Sequence, residues 1–218
     1  MLAMEINPIA DYKGPVSGKF GLPRQALLAP SVEGKIIFRP GYRQREALRG
    51  LDGFEYCWLI WGFSMSETKW SPTVRPPRLG GNERVGVFAS RSPFRPNPLG
   101  LSCVRIASVG DGEILVLGAD LADGTPIYDI KPYIPFTDAH EGAHAGFSDT
   151  REWRRLKVEF EPGCGISDCD RKTLEELLAE DPRPKYQYDP DRVYGLIYRG
   201  LNIRFRVEGD VLRVISAS

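Results

Sequence analysis

Residues 101–117 have the sequence LSCVRIASVGDGEILVL, which predicts two adjacent antiparallel strands. The runs 101–109 and 113–117 are short and rich in Val, Ile and Leu, as strands commonly are. Between them stands Asp111-Gly112, a residue pair that favours the turn of a tight β-hairpin. This stretch therefore indicates a fold of short strands joined by tight turns.

Further short apolar runs precede this hairpin at residues 35–38, 56–63 and 84–89, each flanked by Gly, Pro or Asp. One short helix is predicted at residues 44–49. No regular alternation of strand and helix follows, which argues against a doubly wound parallel sheet. A closed antiparallel barrel accommodates many short strands within about 135 residues, because closure leaves no unpaired strand edge. We therefore predict a mainly β fold with a small antiparallel β-barrel.

The C-terminal part of the chain has a different pattern. After a polar, Gly-rich loop near residues 138–149, Ser167 can cap a helix that continues to Ala179. Apolar and polar residues alternate over residues 201–207, and Glu208-Gly209-Asp210 turns the chain into a further strand. We predict a β-barrel domain at 1–138, a linker at 139–155, and a small C-terminal α+β appendage, a helix plus a hairpin, at 156–218.

The formal net charge is zero, but the charges are unevenly distributed. Residues 69–105 hold seven basic residues and one acidic residue, whereas residues 106–181 hold seventeen acidic and seven basic residues. A basic segment suits a phosphate backbone or an anionic ligand. Folding could instead interleave the two segments and cancel the field, and the sequence leaves both possibilities open.

The N-terminus lacks the basic flank and long apolar run of a signal peptide. No stretch approaches the roughly 18 apolar residues of a membrane span. The four cysteines are scattered, and Cys57 and Cys103 lie in apolar runs as small core residues do. We therefore predict a cytoplasmic protein with reduced thiols.

Three segments carry more Pro, Gly and Arg than ordinary turns need: residues 20–25, residues 72–82 with 90–102, and residues 123–136. Pro removes backbone freedom and Gly permits close approach, so these loops are pre-shaped. Stiff loops that present guanidinium and amide groups suit recognition of a polar ligand. Alternatively, the arginines only hold the barrel ends together through backbone carbonyls.

These segments closely resemble the TsaA-like, TrmO-type family of tRNA (adenine-N6)-methyltransferases. The strings that carry the resemblance are PRQ at 23–25, TVRPPRLGGN at 73–82, RSPFRPNP at 91–98, DGTP at 123–126 and DIKPY at 129–133. The similarity runs from about residue 6 to 136 and resumes at 181–184 and the last hairpin. Residues 138–168 match poorly.

The resemblance implies a β-barrel fold, S-adenosyl-L-methionine as methyl donor, tRNA as partner, and a homodimer with the donor near its interface. The acceptor would be the threonylcarbamoyl-modified adenine immediately 3′ of the anticodon. Carried over by position, the donor contacts would be Pro23, Arg24, Gln25, Ser64, Met65, Arg91, Leu101, Asp123, Gly124, Thr125 and Pro126. The family often has His-Gln in place of Ser64-Met65, which weakens a side-chain role there and leaves backbone contacts.

The chemistry of methyl transfer suggests roles for several of these residues. Arg24 or Arg91 could grip the donor carboxylate, and no metal is needed. The adenine amine is a poor nucleophile, so an acceptor such as Asp129 or Asn97 could orient it. Predicted partners in that role are Lys131 as a cation and Tyr133 or Phe136 as stacking rings. The predicted phosphate contacts are Lys69, Arg75, Arg78 and Arg95, joined by Lys19, Arg43 and Arg45.

Two alternatives belong to other functional classes. The residues His140-Glu141-Gly142-Ala143-His144 match the H-E-x-x-H pattern of zinc hydrolases, although Gly142 opposes the helix that this pattern needs. The same histidines could join Cys164 and Cys169 in a structural metal site. The other alternative is a barrel that binds a nucleotide or RNA without catalysis.

Overall fold

The computed structural model describes residues 5–18, 20–65, 69–76, 79, 83–150, 154–183, 189 and 191–218. The strands are β1 (Ala10–Lys13), β2 (Glu33–Phe38), β3 (Tyr56–Gly62), β4 (Thr73–Val74), β5 (Val85–Gly86), β6 (Leu99–Gly110), β7 (Glu113–Leu117), β8 (Pro126–Pro132), β9 (Lys157–Phe160), β10 (Tyr194–Tyr198), β11 (Leu201–Glu208) and β12 (Val211–Ala217). The α-helices are α1 (Pro135–Asp138) and α2 (Asp168–Ala179). In the described part of the chain, no helix has the length and apolar character to cross a membrane.

Six strands close into an antiparallel barrel in the order β1-β2-β7-β6-β3-β8, which confirms the predicted fold class. Alternate residues fill the barrel, so that β3 contributes Cys57, Leu59 and Trp61 to the core. The Asp111-Gly112 turn joins β6 to β7 as predicted. Gly112 has a φ of 77°, a left-handed conformation that glycine adopts without a steric penalty.

Two predicted elements of the barrel part differ in the structure. The strand expected at residues 84–89 is limited to β5, which pairs with β4, and residues 87–89 form a 3₁₀ turn. The pairing of β4 with β5 ends at Pro72. The Pro72 carbonyl accepts a hydrogen bond from Val87 N, but proline has no N–H with which to donate one to Val87. The helix expected at residues 44–49 is a 3₁₀ helix over Arg45–Leu48, without a side-chain cap.

The C-terminal unit combines α2 with a four-stranded sheet in the order β10-β11-β12-β9. Ser167 caps α2 as predicted, because its hydroxyl accepts from the backbone N–H of Asp170. The predicted hairpin is β11–β12, and the sheet gains β10 on one side. On the other side β9 pairs in parallel with β12, a long-range pairing that no local pattern indicated.

The barrel and the C-terminal unit share packing contacts. The second hydrophobic core contains the leucines of α2 and also Val16, Ala29 and Val32 from the segment between β1 and β2. Val16 forms a β-bridge with Tyr198 of β10. The domain boundaries placed at residues 138 and 155 stay a prediction, but residues 16–32 pack with the C-terminal unit.

Candidate functional site

Three loops leave the barrel at the same end, here called the loop end. They are residues 14–32 between β1 and β2, residues 63–98 between β3 and β6, and residues 118–125 between β7 and β8. The antiparallel strand order places the three connections together, because neighbouring strands run in opposite directions. Each of the three Pro-, Gly- and Arg-rich segments lies at least partly in one of these loops. The fold therefore gathers segments that are far apart in the sequence.

Arg91 and Gln25 join two of these loops. The Arg91 guanidinium donates from Nη1 to the Oε1 of Gln25, and Gln25 Nε2 donates to the Arg24 carbonyl at 2.5 Å. Both side chains belong to the predicted donor contacts. The structure thus brings together residues that are separated by 66 positions in the chain.

The C-terminal unit holds the loop that carries Arg24. Arg24 donates from Nη2 to the Asp181 carbonyl at 3.4 Å, just beyond the end of α2. Glu176 of α2 accepts from Ser31 N at 2.7 Å and from Ser31 Oγ at 2.8 Å. Pro23 is buried, so this loop is fixed on both sides of Arg24 and Gln25.

Residues 123–126 form a tight turn against the end of β1. Gly124 N donates to the Tyr12 carbonyl, and Tyr12 N donates to the Thr125 carbonyl, both at 2.8 Å. The Asp123 carboxylate accepts from Gly14 N at 3.2 Å and lies 3.6 Å from Lys13 Nζ. The Asp123 side chain is thus engaged in holding the turn, and Gly124 beside it is exposed.

Asp120 was not singled out from the sequence, although it lies in the same loop. Its carboxylate accepts from Ser102 Oγ at 2.5 Å, and Ser102 accepts in turn from Trp61 Nε1 at 2.9 Å. Burial raises the pKa of Asp120, against the opposing effects of Ser102, backbone N–H groups and the Arg91 charge. Asp120 stands alone among small and apolar residues and belongs to no recognisable motif. Only its burial in the folded chain identifies it as a candidate site residue.

Tyr12 lies beside Asp120 and Asp123 at this end of the barrel. Its side chain is fully buried, and its hydroxyl has no hydrogen-bond partner among the described residues. Burial raises the pKa of Tyr12, and the negative charges of Asp120 and Asp123 raise it further. Gly34 makes room for this ring, because a Cβ there would lie 2.2 Å from the Tyr12 hydroxyl oxygen.

The other predicted donor contacts lie on the outside of the barrel. Ser64 and Met65 are exposed just beyond β3, where Phe63 N donates to the Pro98 carbonyl. Leu101 of β6 is 56% exposed, whereas the next residue, Ser102, points inward toward Asp120. Their contact with a donor stays a prediction.

The predicted catalytic residues of β8 face outward as well. Asp129 Oδ2 lies 2.9 Å from Lys131 Nζ, and Asp129 Oδ1 accepts from Ile130 N at 2.9 Å. Asp129 is in register with Ile60 of β3, which is in register with Leu101 of β6. Within the described residues, neither hydrogen bonds nor ion pairs connect Asp129 to Arg24, Gln25 or Arg91. The catalytic role of Asp129 stays a prediction.

Tyr133 and Phe136 lie at the opposite end of the barrel from the loops. From Pro126 to Tyr133 the chain advances by seven residues, which corresponds to about 23 Å along a strand. Tyr133 packs against Tyr56 and Trp58, with ring centroids 6.1 and 5.7 Å apart, whereas Phe136 is 87% exposed. The exposed Asn97 is the predicted catalytic residue that lies at the loop end.

The basic residues predicted to contact phosphates have different surroundings. Lys69 and Arg75 are exposed near β4. Arg95 donates from Nη1 to the carbonyls of Val87 and Ser90, at 3.2 and 2.7 Å, so it holds a loop together as the alternative interpretation proposed. Arg43 and the exposed Arg45 follow β2, at the end of the barrel opposite the loops. Lys19 and Arg78 lie outside the described residues.

Exposed aromatic side chains accompany these cations, which the sequence analysis did not notice. Trp70 is 54% exposed, Phe88 is 75% exposed and Phe94 is 40% exposed. Backbone hydrogen bonds from Ser71 N to the Phe94 carbonyl and from Val87 N to the Pro72 carbonyl join their segments next to the β4–β5 pair. We call residues 69–76 and 83–95 the β4–β5 lobe.

The residues of the zinc-hydrolase pattern do not form a helix. His140 and His144 are exposed and flank a turn in which Gly142 has a φ of 77°. The two imidazoles therefore do not share a helix face, which removes the geometric basis of that alternative. Cys164 is buried and Cys169 is exposed. The described residues contain no group of three His, Cys, Asp or Glu side chains that could hold a metal ion.

Both parts of the chain match known protein families. A sequence profile of the tRNA-methyltransferase O N-terminal domain matches residues 12–139, and a profile of the TrmO C-terminal domain matches residues 155–218. The chain belongs to the tRNA-methyltransferase O family. This assignment confirms the resemblance carried by the loop motifs.

Individual TrmO relatives align over nearly the full chain. The tRNA (adenine(37)-N6)-methyltransferase of Escherichia coli strain K12 is 38% identical over 95% of this chain and 94% of its own length. A putative S-adenosylmethionine-dependent methyltransferase of Pseudomonas aeruginosa is 38% identical over 98% of this chain and 97% of its own length. The crystal structure of TrmO from Pseudomonas aeruginosa is 30% identical, with a TM-score of 0.82 over 100% of both chains.

Proposed function

We propose that this protein transfers a methyl group from S-adenosyl-L-methionine to the exocyclic N6 amine of the threonylcarbamoyl-modified adenine immediately 3′ of the anticodon in tRNA. The observation that carries the proposal is the convergence of the Arg24-Gln25 loop, Arg91 and the 123–126 turn at one end of the barrel. Membership in the tRNA-methyltransferase O family supports the same activity.

The loop end fits the chemical groups of the donor. Arg24 and Arg91 supply guanidinium groups for its carboxylate, and the exposed backbone at Gly124 can meet a heterocycle edge. When bound, the donor supplies an electrophilic methyl group on a sulfonium, so the protein needs to position the amine and exclude water. The remaining predicted contacts, Ser64, Met65 and Leu101, border this end from outside the barrel.

The acceptor base requires a stacking surface and an oxygen that accepts from its amine. Asn97 lies at the loop end and can supply that oxygen directly. Asp129, with Lys131 beside it, lies on the outer barrel face, and Tyr133 lies further away along β8. We propose that Asp129, Lys131 and Tyr133 reach the base from a second subunit, whose outer face would lie against the loop end.

A homodimer is supported by the apolar character of that outer face. Leu101 of β6 and Ile60 and Trp58 of β3 project outward from neighbouring strands, and Leu101 is 56% exposed. Packing this face against the loop end of a second copy would bury it, and two-fold symmetry would make the contact reciprocal. Light scattering at micromolar concentration should give the mass of two chains. A monomer with full activity would contradict this part of the proposal.

The β4–β5 lobe is the proposed contact for the anticodon arm. Lys69 and Arg75 offer positive charge for phosphates, and Arg95 braces the lobe from within. The exposed rings of Trp70, Phe88 and Phe94 can stack on unpaired bases of a loop, which every base permits. We place the reaction in the cytoplasm, where the four free thiols and a tRNA substrate are expected.

The decisive test is mass spectrometry of anticodon-loop fragments from threonylcarbamoylated tRNA after incubation with the protein and the donor. The expected product gains one methyl group on the adenine next to the anticodon. A matched tRNA with a different base at that position should gain none. Donor binding without any methylated product would favour the barrel that binds a nucleotide or RNA without catalysis.

A further inference from the structure

We propose that Asp120 and Arg91 form an amino-acid subsite, in which Asp120 receives the α-ammonium group of the donor and Arg91 receives its α-carboxylate. This inference rests on the proposed function, because it assigns one part of the same donor. It adds a residue that neither the loop motifs nor the predicted contacts contained.

The hydrogen bonds of Asp120 aim its carboxylate. Trp61 Nε1 donates to Ser102 Oγ at 2.9 Å, and the Ser102 hydroxyl must therefore donate to Asp120 Oδ1, at 2.5 Å. The backbone of Ala26, in the loop that carries Arg24 and Gln25, is near enough to lower the pKa of the same carboxyl group. Two barrel residues, Trp61 and Ser102, thus orient Asp120 at the place where the loops meet.

The charges of Asp120 and Arg91 are close but unpaired. The Arg91 charge lowers the pKa of Asp120, yet among the described residues the two side chains form no direct ion pair. Arg91 donates to Gln25 instead. Elsewhere in the barrel, Arg39 and Asp11 form a direct pair with contacts of 2.7 and 2.9 Å. The Asp120 carboxylate and the Arg91 guanidinium do not neutralise each other directly. They can therefore pair with the ammonium and carboxylate groups of a bound amino acid.

Asp120 also lacks full compensation for its burial. Burial outweighs its hydrogen bonds and raises its pKa, so an ionised Asp120 costs free energy in the absence of a cation. An arriving ammonium group would supply that cation with a charge-assisted hydrogen bond. The neighbouring titratable groups, Tyr12 and Asp123, cannot supply a positive charge to Asp120. The nearby cation Lys13 lies against Asp123 instead, at 3.6 Å.

The raised pKa also predicts how a variant will fold. A carboxyl group whose pKa is raised in the folded state reduces stability as pH rises above its unfolded value. Asp120→Asn removes this cost and keeps an oxygen that can accept from Ser102. We therefore expect Asp120→Asn to melt at the same temperature as the wild type or higher, so that a loss of binding reports on the ligand.

The test compares two ligands by calorimetry: S-adenosylhomocysteine and its analogue without the α-amino group. The wild type should bind S-adenosylhomocysteine about 10- to 100-fold more tightly, the range expected for one charge-assisted hydrogen bond. Asp120→Asn should lose this preference, because its affinity falls for S-adenosylhomocysteine alone. Asp111→Asn, a matched change in the exposed β6–β7 turn, should retain it.

Each other outcome overturns the inference. An unchanged preference in Asp120→Asn would show that the ammonium group binds elsewhere. An equal loss for both ligands would show that Asp120 only positions the Ala26 loop. If the wild type binds neither ligand nor the donor itself, the proposed function fails and the subsite fails with it.

Discussion

Replacing Tyr12 by Phe should stabilise this protein. The Tyr12 side chain is fully buried in the barrel, and its hydroxyl finds no hydrogen-bond partner among the described residues. An unsatisfied buried hydroxyl costs about 1–3 kcal/mol, whereas the small void left by one oxygen costs less than about 1 kcal/mol. The hydroxyl stays protonated at working pH because burial and the charges of Asp120 and Asp123 raise its pKa.

The net gain is about 1–2 kcal/mol in the free energy of unfolding. For a chain of this size, this corresponds to an increase in melting temperature of about 2–8 °C. Urea unfolding and thermal melting of Tyr12→Phe measure both quantities. Tyr42→Phe is the matched control, because the Tyr42 side chain is 43% exposed and its hydroxyl can bind water. A loss of 1 kcal/mol or more in Tyr12→Phe would refute the argument by revealing a hydrogen bond to an internal water.

Three other predictions concern the site. Asp129→Ala should leave tRNA binding nearly unchanged and reduce methyl transfer about a hundredfold or more if it orients the amine; a parallel loss of melting temperature and donor binding would show instead that the Asp129–Lys131 pair only holds β8. Arg75→Ala should weaken binding to every tRNA and reduce the slope of log binding constant against log salt concentration by about one unit. Filter binding at a series of salt concentrations measures this slope, and an unchanged slope would exclude a phosphate contact. Glu176→Ala should lower the free energy of unfolding by about 1–3 kcal/mol, because Ser31 loses two hydrogen bonds that fix the Arg24 loop. The same change should weaken S-adenosylhomocysteine binding in a calorimetric titration. Unchanged binding would show that the loop does not depend on α2.

Local sequence patterns were sufficient to predict the secondary-structure elements that are stabilised by contacts between residues close in the sequence. Asp111-Gly112 predicts its hairpin because both strands adjoin the turn, and Ser167 predicts the start of α2 because its cap is three residues away. The barrel followed from many such strands and the need to close their edges. The loop motifs were sufficient to indicate the family, because long strings of Pro, Gly and Arg are constrained by what they must contact.

Tertiary structure alone decided how these parts meet. The parallel pairing of β9 with β12 and the anchoring of the Arg24 loop by Glu176 join residues far apart in the chain, where no periodicity records the contact. The same holds for Asp120, whose character depends on burial and on Ser102, and burial is a property of the folded chain. The sequence motifs grouped Asp129 and Tyr133 with the donor loops. In the fold, Asp129 faces outward on β8, and Tyr133 follows β8 at the end of the barrel opposite the loops. A motif identifies residues that act together, but only the path of the strands determines from which side of the barrel each one approaches the site.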